Sequence, residues 1–201
     1  MSGTIKEKLR GAIEFMLFMP GAEKPFRETS FKSMLRSFII PLCLIPYGVW
    51  GITLTHNTEL QELSKLEGIN YIDTPTFIGI SIIKSILITL FLLFVMYYFA
   101  KFMERSEYFY DLISAGNWII IPSMVPSLIL MTIILSGGHD WMGIYMIATL
   151  NILYGLAVSA FATTRLLNIP WELGTACAIF AMGIGETANK IVNLIGINYF
   201  A

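Results

Sequence analysis

Four polar side chains set within long apolar runs, Lys84, Asn151, Glu186 and Lys190, are the residues of this chain with the most chemical potential. An ionisable group in hydrocarbon costs several kcal/mol unless it is paired or hydrated, so such groups mark either a structural clasp or a functional site. Counting a rise of 1.5 Å per residue, Lys84 falls about 10 Å from the outer end of its run and Lys190 about 7 Å. Glu186 and Asn151 each fall about 14 Å from it. The four thus share a depth on three helices and can form one buried network. Ser81, Ser85 and Thr89 lie on Lys84's side of its helix, and Glu186, Asn189, Lys190 and Asn193 follow i, i+3, i+4, i+7 spacing. Two chemistries fit. One is an interhelical ion-pair clasp of Lys84, Glu186 and Lys190. The other is a polar cavity that binds or conducts a small anion, a proton or a lipid headgroup. Two lysines against one carboxylate favour an anionic guest, and a carboxylate flanked by lysines stays ionised, which weakens the proton version.

Beside that polar stripe runs a second one of small residues: Gly174, Ala178, Ala181, Gly185 and Ala188. Small residues at such spacing allow close helix contact, where dispersion replaces the hydrophobic drive missing in lipid. Other chemistry finds little support. The histidines, His56 and His139, fall in separate loops, and no cysteine or histidine cluster has metal-ligand spacing. There is no glycine-rich phosphate loop and no nucleophile elbow. Ser136-Gly137-Gly138-His139-Asp140 reads as a tight hairpin with Asp140 capping the next helix. Cys43 and Cys177 sit in apolar runs and read as packing thiols. No catalytic residue, metal or cofactor is expected, and the chain is read as a non-enzyme.

The elements that must position these groups are apolar helices. Apolar residues make up 56% of the 201 residues and charged ones only 13%, about half the share usual in a soluble domain. A helix needs about 20 apolar residues to cross a bilayer. Residues 37–54, 77–100, 112–135 and 142–161 meet or nearly meet that length, and 173–195 does so if Glu186 and Lys190, four apart, neutralise each other along one face. A re-entrant or interfacial C-terminal segment is the alternative for the fifth. Pro41, Pro46, Pro122 and Pro126 predict kinks in the first and third spans. Basic residues flank alternate ends: Lys6, Lys8, Arg10, Lys24, Arg27, Lys32 and Arg36 before the first span, Lys101 and Arg105 after the second, and Arg165 after the fourth. That asymmetry predicts a cytoplasmic N-terminus and an external C-terminus.

Residues 1–36 read as a cytoplasmic segment. Ile5, Leu9, Ala12, Ile13 and Met16 recur at helical spacing, the pattern of an amphipathic helix lying on the leaflet. The apolar run Phe15–Met19 is too short for a signal peptide and is followed by Pro20-Gly21. A net charge of −1 gives no reason to expect nucleic acid.

The run Phe26-Arg27-Glu28-Thr29-Ser30-Phe31-Lys32-Ser33-Met34-Leu35-Arg36-Ser37-Phe38, followed by a proline-bearing span, resembles small bacterial, especially alphaproteobacterial, Yip1-domain proteins. Ala115-Gly116-Asn117-Trp118 and Thr164-Arg165-Leu166-Leu167 add to the likeness. The Asp-Leu-Tyr-Gly-Pro motif of eukaryotic members is absent and the N-terminal region is short, so their role with Rab-type GTPases does not carry over. The resemblance implies a bacterial inner-membrane protein and supplies no catalytic residues. The expectation is therefore an all-α polytopic bundle of five transmembrane helices with an amphipathic N-terminal helix. Its expected partners are the lipid bilayer and other proteins or further copies of itself. The expected role is that of a membrane-organising or accessory subunit; the alternative is a small permease or channel built on Lys84, Asn151, Glu186 and Lys190.

Overall fold

The computed structural model describes residues 3–51, 53, 74–135 and 141–200, with side chains in part of the last stretch excepted. Every regular element among the described residues is helical: α1 (Ile5–Met16), a 3₁₀ turn (Lys24–Phe26), α2 (Phe31–Ser37), α3 (Ile39–Cys43), α4 (Thr74–Phe102), a second 3₁₀ turn (Ser106–Tyr108), α5 (Phe109–Leu135), α6 (Trp141–Leu167) and α7 (Trp171–Phe200). Among the described residues, four stretches are long and apolar enough to cross a membrane: Phe31–Gly51, Thr74–Phe102, Ser106–Leu130 and Met146–Leu167. In α7 the apolar run Trp171–Gly185 is shorter than a full crossing. His56, His139 and Asp140 lie outside the described residues, as do the side chains of Glu186, Ala188, Asn189, Lys190 and Asn193.

Prolines act differently in the two spans that carry them. The first is broken by turns at Phe38 and Leu44, close to Pro41 and Pro46, each of which lacks the N–H that the helix ladder needs. α5 instead runs through Pro122 and Pro126 without a break. Beside them, the Ser123 hydroxyl donates to the Ile120 carbonyl at 2.8 Å and the Ser127 hydroxyl to the Ser123 carbonyl at 3.3 Å. Hydroxyls of this kind satisfy backbone acceptors in and near proline-bearing turns.

The chain divides into two compact units, residues 1–42 with 96–182, and 43–95 with 183–201. In the second, hydroxyls on α4 bond to its own backbone. The Ser85 hydroxyl donates to the Ser81 carbonyl at 2.8 Å and the Thr89 hydroxyl to the Ser85 carbonyl at 2.7 Å. The first unit holds the core: Ala12, Phe15, Ala22, Phe26, Ala100, Leu112, Ala115, Ala162, Leu166, Leu167 and Ile169 form one buried cluster. The N-terminal segment is thus part of the core, packed where the start of α5 meets the end of α6.

α1 begins where a Thr-x-x-Glu capping box dictates. The Glu7 N–H donates to the Thr4 hydroxyl at 3.3 Å, and the Thr4 N–H donates back to the Glu7 carboxylate at 2.6 Å. These bonds from the Thr4 backbone and hydroxyl hold the Glu7 carboxyl below its ordinary value of 4.5. A lowered carboxyl contributes stability above the unfolded value and loses it as pH falls through the folded one. Acidification below 4.5 is therefore expected to fray the first turn of α1, and Glu7→Gln to abolish that pH dependence. Backbone amide NMR shifts of residues 5–8 would read both; an acid response unchanged by Glu7→Gln would count against the box.

The face that α1 buries differs from the one its apolar periodicity suggests. Lys8, Gly11, Ala12, Phe15 and Met16 are buried, whereas Ile5 is 75% and Ile13 44% exposed. Gly11 explains part of this rotation. A Cβ there would stand 2.9 Å from the Ala22 carbonyl oxygen, so the returning chain 17–26 closes onto α1 only because position 11 has no side chain.

Candidate functional site

The richest polar constellation in the first unit lies where residues 24–37 cross the start of α5 and the end of α6. Arg27 is its anchor. Its guanidinium donates from Nη1 to the Leu166 carbonyl at 2.8 Å and from Nη2 to the Arg165 carbonyl at 2.7 Å. The last carbonyls of a helix have no partner within it and carry the negative end of its dipole, so a forked cation is well suited to them. The same guanidinium stands over the Tyr108 ring, 4.9 Å from its centre. Arg27 therefore binds the C-terminus of α6 to a segment almost 140 residues away in sequence.

Asp111 plays the complementary part at the first turn of α5, where a carboxylate suits the positive end of the helix dipole. It is 3% exposed and accepts from the Thr29 N–H at 2.8 Å. The Thr29 hydroxyl donates to the Phe26 carbonyl at 2.6 Å, closing the turn that follows the 3₁₀ element. Nearly two turns further along α5, the Asn117 amide donates to the hydroxyl of Ser37 at the end of α2 at 2.8 Å, which itself donates to the Met34 carbonyl. Lys8, 6% exposed, donates to the Ser33 hydroxyl at 3.1 Å. Burial pushes the Lys8 ammonium below its ordinary value, and the nearby Asp111 carboxylate opposes that shift. The Ser114 hydroxyl, fully buried, makes no hydrogen bond among the described residues.

Chemically this arrangement is a set of tethers. Most of its polar atoms are spent on backbone groups at helix ends or on neighbouring side chains. No group of three or more His, Cys, Asp or Glu side chains suited to a metal occurs among the described residues. Exchanging Arg27 for lysine keeps the charge and removes the fork. Arg27→Lys is expected to cost about 2 kcal/mol, in line with the loss of a charged hydrogen bond. Equilibrium unfolding in mixed micelles would measure it, and a variant as stable as the parent would show that the fork contributes nothing.

Of the residues singled out from the sequence, Lys84 and Asn151 are half-buried, on α4 and α6 respectively, and belong to different units. The small-residue stripe is used at its start. Gly174 is buried against α6: a Cβ there would stand 2.0 Å from the Thr164 hydroxyl and 2.9 Å from the Ala160 carbonyl oxygen. Ala178 is 6% exposed, while a Cβ on Gly185 would meet nothing within 4 Å among the described residues. Between α6 and the start of α7 runs an apolar groove of about 370 Å³, lined by Leu153, Ala157, Phe161, Thr164, Trp171 and Thr175 among others.

Sequence reading passes over Arg27, Asp111 and Lys8 as site residues, because each sits at the edge of an apolar run and reads as a boundary charge. The one local signal is the place of Asp111 in the first turn of a long apolar helix, which suits a carboxylate but does not name its partner. The runs 26–38, 115–118 and 164–167 contribute Arg27 and Thr29, Asn117, and the Arg165 and Leu166 carbonyls to these tethers. Comparison with protein-family models, curated proteins and solved structures finds no match.

Proposed function

We propose that this chain is a non-enzymatic integral membrane protein that organises the membrane or serves as an accessory subunit, working through its exposed helix faces and its docked N-terminal segment. The observation that supports this is the use made of the polar residues in the first unit: Arg27, Thr29, Ser37, Asp111 and Asn117 bond to the protein itself. They hold a surface in place. Long apolar side chains such as Ile83, Leu90, Phe94, Leu150 and Leu153 stay exposed on α4 and α6, ready for lipid or for another membrane helix. The charge asymmetry of the loops supports a cytoplasmic N-terminus, and the bacterial inner membrane is what the resemblance implies. α7, a continuous helix of 30 residues, is long enough to provide the fifth crossing. The resemblance to small bacterial Yip1-domain proteins is in keeping with this role.

Reconstitution of the full chain into liposomes tests the reading. Flux of chloride and protons and exchange of lipid between leaflets are expected to match protein-free vesicles, and native gels of solubilised membranes are expected to show a discrete larger complex. Flux above the protein-free level that is lost on Lys84→Ala or Asn151→Ala would replace this reading with the permease.

A further inference from the structure

The hairpin made by α1 and the returning chain has a tip of unusual composition. Phe15-Met16-Leu17-Phe18-Met19-Pro20-Gly21-Ala22 contains no charged residue and is bounded by Glu14 on one side and Glu23-Lys24 on the other. Leu17, Phe18 and Met19 are 62, 41 and 45% exposed, so their side chains are not covered by the protein.

The position of this tip along α6 is well defined. The Phe18 ring lies 5.5 Å from that of Phe161 and 6.0 Å from that of Tyr154. The Tyr154 hydroxyl donates to the Met16 carbonyl at the end of α1. Arg165, exposed near the end of α6, marks the level at which a charge meets the headgroups. Its guanidinium reaches back over the Phe161 ring, 5.5 Å from the centre, so the charge lies at the level of Phe161, and Tyr154, seven residues further down the same helix, lies about 10 Å deeper at 1.5 Å per residue. A helix lying flat at the interface is buried about 5–10 Å. Phe18 is therefore set beside a part of α6 that belongs to the hydrocarbon.

Backbone N–H groups inside hydrocarbon must find partners within the protein, and those of Leu17, Phe18 and Met19 do so. The Leu17 N–H donates to the Ile13 carbonyl, the Phe18 N–H to that of Phe15, and the Met19 N–H to that of Glu14. Pro20 has no N–H. Phe18 takes the left-handed conformation (φ 54°) and Gly21 likewise (φ 87°), which turns the chain back within a few residues. The nearest charged side chains on α1, Arg10 and Glu14, are paired at 2.7 Å.

We infer that the N-terminal hairpin enters the bilayer tip first, with Leu17, Phe18 and Met19 among the acyl chains of the leaflet on the Arg165 side. The occupant of its exposed apolar surface is lipid hydrocarbon, continuous with the lipid around exposed Leu150 and Leu153 on α6. α1 is then a re-entrant wedge that slopes into the leaflet, in place of a helix lying flat upon it. The insertion depends on the packing alone and holds whether or not the protein has the organising role proposed above.

A nitroxide on cysteine at position 19, in a Cys43→Ser, Cys177→Ser background and in phospholipid vesicles, reads the depth. Oxygen is expected to broaden its spectrum several-fold more than a water-soluble nickel chelate does, as at a lipid-facing label on Leu153, while a label at Lys6 shows the reverse. Nickel access at 19 equal to that at 6 would overturn the insertion. Shielding from both reagents would overturn the acyl-chain occupant in favour of a second protein surface. The parent chain provides a check free of substitutions. A lipid-soluble carbene reagent is expected to modify the peptide holding Leu17–Met19 as heavily as the one holding Leu150–Leu153; an unmodified tip beside a modified α6 would refute the proposal.

Discussion

Replacing Phe15 by alanine is expected to release the N-terminal segment from the rest of the first unit, at a cost of about 3–5 kcal/mol. Phe15 is fully buried, and its ring stands 6.0 Å from those of both Phe26 and Phe161. It is the side chain through which α1, the 3₁₀ turn and α6 meet. Removing it leaves a cavity that α1 cannot fill by moving closer, because Gly11 is already packed against the Ala22 carbonyl. The contrasting change is Ile5→Ala. Ile5 heads the apolar stripe expected from periodicity, yet it is 75% exposed, and its replacement should alter stability by no more than about 0.5 kcal/mol. Unfolding in mixed micelles gives both free energies, and limited trypsin digestion after Arg27 reports local release. Equal effects of the two changes would mean that the helix faces lipid through the Ile5 stripe and is not docked through Phe15.

The second large effect is expected at Gly174→Ala. A methyl group there meets the Thr164 hydroxyl at 2.0 Å and the Ala160 carbonyl oxygen at 2.9 Å. The hydroxyl belongs to a side chain that can rotate, but the carbonyl is helix backbone and cannot yield without separating α6 from α7. Overpacking of this kind costs about 1–3 kcal/mol. Thr164→Ala should be close to neutral alone, because its hydroxyl is buried without a hydrogen-bond partner among the described residues. In combination it should recover part of the Gly174→Ala loss, the rest staying with the Ala160 carbonyl. Gly185→Ala serves as the control. Its methyl group meets nothing within 4 Å among the described residues, and alanine favours the helix by up to about 1 kcal/mol. Additive effects of Gly174→Ala and Thr164→Ala would show that the two helices do not approach through this pair.

These contrasts mark what was legible in the sequence. Helical class, the long apolar helices and the start of α1 follow from composition and local pattern. So does the presence of a small-residue stripe on α7, though not which of its members is used: among the described residues Gly174 makes the close approach and Gly185 has none. The orientation of α1 was not legible. Apolar periodicity ranks Ile5, Leu9 and Ile13 with Ala12 and Met16 and cannot tell a face that meets lipid from one that meets protein. Phe15 falls outside that register and becomes the core because a ring from α6 is there to receive it. Arg27 and Asp111 escaped notice for the same physical reason. Their partners lie 82 to 139 residues away, and nothing local to either residue announces a helix end that needs a donor or a segment that needs an acceptor. Polar residues in mid-span draw attention because lipid makes them costly. Those at helix ends look ordinary until the ends are brought together.

The central claim, that the N-terminal segment is built onto α5 and α6, is tested most directly by bridging Phe18→Cys to Tyr154→Cys in the Cys43→Ser, Cys177→Ser background. The two parent rings are 6.0 Å apart, within reach of a short bifunctional thiol reagent. The account predicts a near-complete intramolecular cross-link in membranes. It predicts none for Ile5→Cys with Tyr154→Cys, since Ile5 lies about 18 Å back along α1. Folded protein in which both thiols react singly and the Phe18–Tyr154 pair stays unbridged would contradict it.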